Sequence, residues 1–138
     1  MHNVGSIFRT SDGAGVSHVY LCGYTPYPPR KEISKTALNA DETVEWSYHL
    51  SAVELIKKLK EEGVEIVALE LTKESIDYRG FKPTKKTCLI LGHEIDGVEN
   101  ELLSLADKVV KLPMRGKKES LNVSVAYGIA VYELTRER

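Results

Sequence analysis

Three stretches of this chain carry polar groups at spacings that suit chemistry. The first, "HNVGSIFRTSDGAG", sets Asn3 six residues before Arg9. Asn3 suits a helix N-cap, Val4, Ile7 and Phe8 give an apolar stripe behind it, and Gly13 and Gly15 are the expected stops. An amide and a guanidinium less than two turns apart can serve one site if Asn3 lies just before the first turn. A capped surface helix with an exposed arginine explains the same residues. The second stretch, "LGHEIDG", holds Glu94 between Gly92 and Gly97. Gly92 lets a backbone or a ligand approach closely, although a G-x-E-x-x-G pattern alone says little. His93 reads as a loop histidine. With His2, His18 and His49 it forms no ligand spacing, so no metal site is expected. The third stretch, "KLPMRGKKESLNVSVAYGIAVYE", passes from a strand exit through Arg115, Lys117 and Lys118 into a helix expected over about 120–134. Ser120 is the expected N-cap and Asn122 falls in the first turn. Their hydroxyl and amide groups, behind cations at a helix N-terminus, suit an anionic ligand. A capped helix packed on a sheet is the plainer reading.

The elements that must position these groups follow from apolar periodicity. "SHVYLCG" reads as a strand and the proline-rich "YTPYPPRK" as extended loop. "LSAVELIKKLKEEG" is an amphipathic helix with a Ser51/Glu54 capping box, an apolar face of Val53, Ile56 and Leu59, and Gly63 as its C-terminal stop. "VEIVALE", "TCLILG" and "KVVKLP" are strands, the first two apolar enough to be covered on both faces. "ENELLSLA" is a short helix. Alternating helix and strand predicts an α/β domain with a mainly parallel sheet and helices on both faces. In such sheets ligands lie at the carboxyl ends of the strands. Those ends here carry "LELT", "LGHEIDG" and "LPMRGKKES", where the polar and glycine signals gather.

A length of 138 residues suits one domain with a real core. A net charge of −1 excludes a uniformly basic nucleic-acid binder. The cations nevertheless cluster: Arg30, Lys31 and Lys35 in one expected loop, Lys82, Lys85 and Lys86 in a second, and Arg115, Lys117 and Lys118 in a third. A local patch can hold phosphate on a near-neutral chain, and solvated loop charge is the competing explanation for each. No apolar run reaches the length of a membrane span, and no signal peptide leads the sequence, so the cytoplasm is the expected compartment. Cys22 and Cys88 lie in apolar strand-like runs and are expected as reduced core thiols. No phosphate-binding G-x-x-x-x-G-K-[ST] loop and no G-x-S-x-G elbow occurs.

Taken in order, "NVGSIFRTSDGAGV", "LILGHEIDGV" and "KLPMRGKKESLNVSVAYGIAVYE" resemble the three motifs of the SpoU/TrmH-type RNA 2′-O-ribose methyltransferases of the SPOUT superfamily. The resemblance covers essentially the whole chain. It implies a single SpoU-type domain over 1–138 with a deep C-terminal trefoil knot; the sequence departs from the family pattern in lacking the usual strand before the first motif and the separate RNA-binding domain of many relatives. It implies S-adenosyl-L-methionine (AdoMet) held bent by the knot loops, S-adenosyl-L-homocysteine as product, and no metal. It implies a homodimer whose active site is shared between protomers, with tRNA ahead of rRNA as substrate. Carried over by motif, Asn3, Arg9, Glu94, Ser120 and Asn122 are the catalytic candidates. Leu69, Glu70, Gly92, Leu112, Met114 and Leu121 are the cofactor-binding candidates. Arg9, Arg115, Lys117 and Lys118 are expected against RNA. A base role for Arg9 is demanding, because a guanidinium normally keeps its proton; bidentate binding of a neighbouring phosphate is easier. A protein of the same fold that binds AdoMet or RNA without turnover is the competing reading. An unrelated α/β nucleotide-binding domain is the third.

Overall fold

The computed structural model describes residues 2–93 and 97–136. The chain divides into an N-terminal unit ending at Ala52 and a second unit, Val53–Arg136.

In the N-terminal unit, α1 (His2–Ala14) is followed by β1 (Val19–Cys22), α2 (Lys31–Ala37), α3 (Ala40–Thr43) and β2 (Trp46–His49). Val4, Phe8 and Ser11, spaced as one helical face, are buried and turn α1 inward. They meet Val19, Leu21, Ile33, Ala37, Ala40 and Val44 in one cluster, with Trp46 and Tyr48 packed against it. Gly5 sits where α1 touches α2; a Cβ there would stand 2.8 Å from the Ile33 carbonyl oxygen and collide with Thr36. The helix ends at Gly15, with φ +77°. There the Val16 amide donates to the Ser11 carbonyl at 2.9 Å, the bond of a glycine-stopped helix. Gly13 lies inside the helix rather than ending it. β1 and β2 pair in parallel, Val19 opposite Trp46 through Cys22 opposite His49.

Two further expectations are corrected in this unit. Asn3 lies within α1, whose first residue is His2, so it is not the cap. Lys31 and Lys35 are helical, on α2, with Arg30 as N-cap, rather than in a loop. The helix is hard to foresee because its buried face is only Ile33 and Ala37, directly behind three prolines.

From its first residue at the boundary, α4 (Ala52–Glu61) runs into the second unit, which also contains β3 (Glu65–Leu69), β4 (Ile76–Asp77), a 3-10 turn (Tyr78–Gly80), β5 (Thr87–Ile90), α5 (Asn100–Leu105), β6 (Lys108–Lys111) and α6 (Val123–Leu134). α4 buries Leu55, Ile56 and Leu59, so its inward face takes Leu55 where Val53 was expected. Gly63 stops it at φ +83°. The sheet runs β4-β6-β3-β5, and among the described residues every strand pairing is parallel. Ile66, Val67 and Ala68 of central β3 are fully buried. Val67, Val110 and Phe81 form a core against which Leu69, Tyr78, Leu89 and Leu134 pack. The α/β expectation with parallel strands therefore holds, although the strands pair as two sheets rather than one.

Asp107 ties the start of β6 to β3. Its amide donates to the Ile66 carbonyl at 2.7 Å, and its carboxylate accepts from the Ile66 amide at 2.8 Å. Lys60 reaches the Leu105 carbonyl at 2.6 Å and the Asp107 carboxylate at 3.4 Å. The Ile66 amide, with help from Lys60, holds the Asp107 carboxyl below its ordinary value. A carboxyl with a depressed folded-state pKa stabilises the fold above its unfolded value, about 3.9, and that stabilisation is lost as pH falls through the folded value. Asp107→Asn should therefore narrow the difference in melting temperature between pH 7 and about pH 3, read by thermal unfolding of both proteins. An unchanged difference would remove this carboxyl from the acid sensitivity of the fold.

Candidate functional site

The carboxyl ends of three neighbouring strands, β3, β5 and β6, open on one cleft of about 430 Å³. That volume lies in the range of small-molecule sites, roughly 300–1,000 Å³. From β3 come Leu69, Glu70, Leu71 and Thr72; after β5 come Leu91, Gly92, His93, Gly97 and Val98. β6 contributes Lys111 and, just beyond, Leu112 and Met114; Glu119, Ser120 and Leu121 follow. Val123 and Ala126 of α6 and Asn100 and Leu103 of α5 complete the wall.

The wall is held by backbone bonds. Glu70 is half-buried at the end of β3, and its amide donates to the Val110 carbonyl at 3.0 Å. One carboxylate oxygen accepts from the Leu71 amide at 3.1 Å, the other from the Val98 amide at 2.7 Å. Buried Ser75 closes the same rim, donating to the Glu70 carbonyl at 2.7 Å and accepting from the Thr72 amide at 2.9 Å. Opposite, His93 and Gly97 exchange backbone bonds of 3.0 and 2.9 Å, and Gly97 takes φ +69°. Gly92 lies against this closure: a Cβ there would stand 2.5 Å from the Gly97 carbonyl carbon and 2.6 Å from the Val98 nitrogen. Close approach of backbone is therefore what glycine supplies at 92.

Glu70 thus pins the loop after β5. Glu70→Ala would strip the buried Val98 amide of its acceptor, a loss of about 1–3 kcal/mol. Glu70→Gln keeps an acceptor oxygen and should lose less; urea unfolding of both variants reads the difference. Equal stability of all three proteins would overturn the clamp.

The third motif is rearranged relative to expectation. α6 begins at Val123 and Asn122 is its N-cap, so Ser120 is not. Serine and asparagine are close in capping preference, and the choice falls to Asn122 because its oxygen closes two bonds. It accepts from the Ser124 amide at 3.0 Å and from the Ser124 hydroxyl at 2.7 Å. Ser120 and Leu121 precede the helix and line the cleft.

All six expected cofactor residues, Leu69, Glu70, Gly92, Leu112, Met114 and Leu121, line this one cleft, with Ser120 beside them. Asn122 is not among the lining residues, and its side-chain oxygen serves the helix start. Glu94 lies outside the described residues. Arg115, Lys117 and Lys118 are exposed in the segment between β6 and α6. Asn3 and Arg9 belong to the N-terminal unit, the first half-buried and the second exposed. Six residues along α1 leave them about 120° apart around the axis and about 9 Å along it. They share a site only through the reach of the arginine. Lys111, Glu119, Asn100, Leu103, Val123 and Ala126 were not foreseen. The i, i+3 spacing within each of the last two pairs was the available signal.

An α/β domain with a small-molecule cleft at the carboxyl ends of parallel strands is the class that this fold and site define. Residues 1–132 match the model of the SpoU rRNA Methylase family, and the chain belongs to that family. It is similar to the tRNA (guanosine(18)-2'-O)-methyltransferase of Escherichia coli K12, at 34% identity over 137 residues. That match covers 99% of this chain and 59% of the relative, so the chain spans less than two thirds of the relative's length. The Aquifex aeolicus TrmH/SpoU tRNA modifying enzyme superposes with a TM-score of 0.89 at 36% identity, covering 98% of this chain and 68% of the other. An AdoMet-bound rRNA methyltransferase from Sinorhizobium meliloti superposes with a TM-score of 0.88 at 30% identity, covering 96% and 50%.

Proposed function

We propose that this chain transfers a methyl group from AdoMet to a ribose 2′-hydroxyl of RNA, with tRNA as the substrate. The observation that carries this reading is the convergence of Leu69, Glu70, Gly92, Leu112, Met114 and Leu121 on one cleft. The donor set fits AdoMet: leucine, valine and methionine walls suit a purine and a sulfonium's alkyl arms. Lys111 and Glu119 offer opposite charges for an amino-acid end. Two of the four acceptor positions of the Glu70 carboxylate serve backbone amides, which leaves capacity for ribose hydroxyls.

Bound there, AdoMet supplies a methyl carbon on a cationic sulfur; the ribose 2′-oxygen bonds to that carbon as the carbon–sulfur bond breaks, the electron pair stays on sulfur, and the hydroxyl proton is released. The protein's part is alignment, worth up to about 7–11 kcal/mol in ideal intramolecular cases. Arg9 binds the phosphate next to the target ribose through its two-pronged guanidinium. Asn3, Glu94 and Ser120 orient Arg9, the ribose or the methionine end, and Asn122, whose oxygen caps α6, adds its amide nitrogen as a donor. Arg115, Lys117 and Lys118 hold the RNA backbone near the cleft.

The remaining parts of the reading are a homodimer with its site shared between protomers, one SpoU-type domain over 1–138, a deep C-terminal trefoil knot and a cytoplasmic location. Val125, Ile129 and Tyr132 support the dimer: they stand exposed at helical spacing on α6, an apolar stripe suited to a second copy. tRNA is favoured because the Escherichia coli and Aquifex aeolicus relatives are tRNA enzymes, and the rRNA enzyme from Sinorhizobium meliloti is less similar.

Incubation with methyl-labelled AdoMet and either purified tRNA or rRNA tests the reading. Label in an alkali-resistant dinucleotide from tRNA is the expected result. Label in rRNA alone would move the substrate. AdoMet binding with no transfer to either would return a binding protein.

A further inference from the structure

The loop that follows β1 has no part in the cleft, yet it carries a concentration of exposed aromatic and basic side chains. Tyr24 is fully exposed and Tyr27 is 41% exposed. Tyr27 packs in tilted contact against Tyr48, ring centroids 4.5 Å apart, and against Trp46 at 6.2 Å. Arg30 follows three residues later, within about 11 Å of chain. Lys31 and Lys35, one turn apart on α2, extend the cationic side; all three cations are exposed. Against them the same segment sets a single carboxylate, Glu32.

The loop is also built to hold its shape. Gly23 turns the chain at φ +61°. Its amide donates to the His49 carbonyl at 3.0 Å, and its own carbonyl accepts from the Tyr48 hydroxyl. The Thr25 amide donates to the Cys22 carbonyl at 3.0 Å. Pro26, Pro28 and Pro29 restrict the backbone beyond. A large aromatic ring held out in water on an anchored loop gains nothing for the fold. It does lower the ordering cost of binding a flat partner.

We propose that this loop is a docking platform for unpaired RNA bases outside the reaction cleft. Tyr24 and Tyr27 take base faces, and Arg30, Lys31 and Lys35 take the phosphates on either side. Aromatic rings beside a short cationic run match the alternation of base and phosphate along a single strand. The local charge favours a polyanion over a second protein surface. This inference rests on the RNA reading above and assigns part of the substrate contact to residues away from the methyl transfer.

Trp46 is the only tryptophan in the chain and lies behind Tyr27, so its fluorescence reports occupancy. The full chain is titrated with a single-stranded oligouridylate and with tRNA over a series of salt concentrations. Tyr24→Ala should weaken oligouridylate binding by roughly 5- to 150-fold, with the salt slope unchanged. Tyr24→Phe should bind as the parent does. Arg30→Gln, Lys31→Gln and Lys35→Gln together should reduce the slope of log affinity against log salt by about 2. Tyr24 makes no contribution to the core, so equal melting temperatures will certify the fold. If the parent binds RNA and neither change alters affinity or slope, the platform is overturned while the RNA reading stands. If the parent binds no RNA, both fail. Retained RNA affinity with a changed sedimentation coefficient in Tyr24→Ala would make the loop a protein contact instead.

Discussion

Gly92→Val is expected to weaken binding of AdoMet and of S-adenosyl-L-homocysteine by more than about 100-fold, most of it reproduced by Gly92→Ala. The reason lies in the backbone. The first added carbon meets the Gly97 carbonyl carbon at 2.5 Å, the Val98 nitrogen at 2.6 Å and the Gly97 Cα at 2.8 Å. None of these atoms can swing aside as a side-chain tip would. The His93–Gly97 closure must open, and the Val98 amide then leaves the Glu70 carboxylate. β5 ends at Ile90, before the change, so the sheet itself should survive. Calorimetric titration with the demethylated product reads the loss, and far-UV circular dichroism separates it from unfolding. If alanine is tolerated and only valine blocks binding, the effect is pocket filling and not loop closure. If both bind normally, the cofactor lies elsewhere.

Arg9→Ala is expected to lower kcat/KM for methyl transfer by about 100- to 10,000-fold, the range for loss of a positioned charged or proton-handling group. Affinity for S-adenosyl-L-homocysteine should stay within about twofold, because Arg9 is not among the cleft-lining residues. Asn3→Ala should lose activity in the same pattern. Arg9→Lys discriminates the two roles open to the guanidinium. A phosphate clamp keeps part of its function with a point charge, so lysine should restore some activity with a raised KM for RNA. A proton-accepting role would instead give a shifted pH–rate profile with lysine. A loss of cofactor affinity in Arg9→Ala that parallels the loss of rate would move Arg9 into the cofactor pocket.

Much of the fold was legible because burial writes itself into short-range pattern. The apolar run from Ile66 to Ala68 marks a strand covered on both faces, and it is the fully buried centre of the sheet. Gly63 and Gly15 mark helix ends, and both take positive φ where the helices stop. α2 and β2 were missed for the converse reason. Ile33 and Ala37 are too small a stripe to stand out, and in Trp46–His49 only Trp46 and Tyr48 alternate over four residues, in a strand half-buried throughout.

The site divides along the same line. Residue types by themselves determined that three strand ends would carry glycine, carboxylate and hydroxyl groups, and the family resemblance named which of them to expect in a site. Only the tertiary structure decided how those groups are spent. Glu70 uses one oxygen to hold the loop after β5, because that loop's Val98 amide is buried and needs an acceptor, and the other to hold the Leu71 amide beside it. Asn122 is drawn into capping α6, because a helix start leaves amides that a nearby side-chain oxygen satisfies first. Ser120 is released from capping to face the cleft. Hydrogen-bond capacity is local in the sequence, but which partner claims it is a property of the folded neighbourhood.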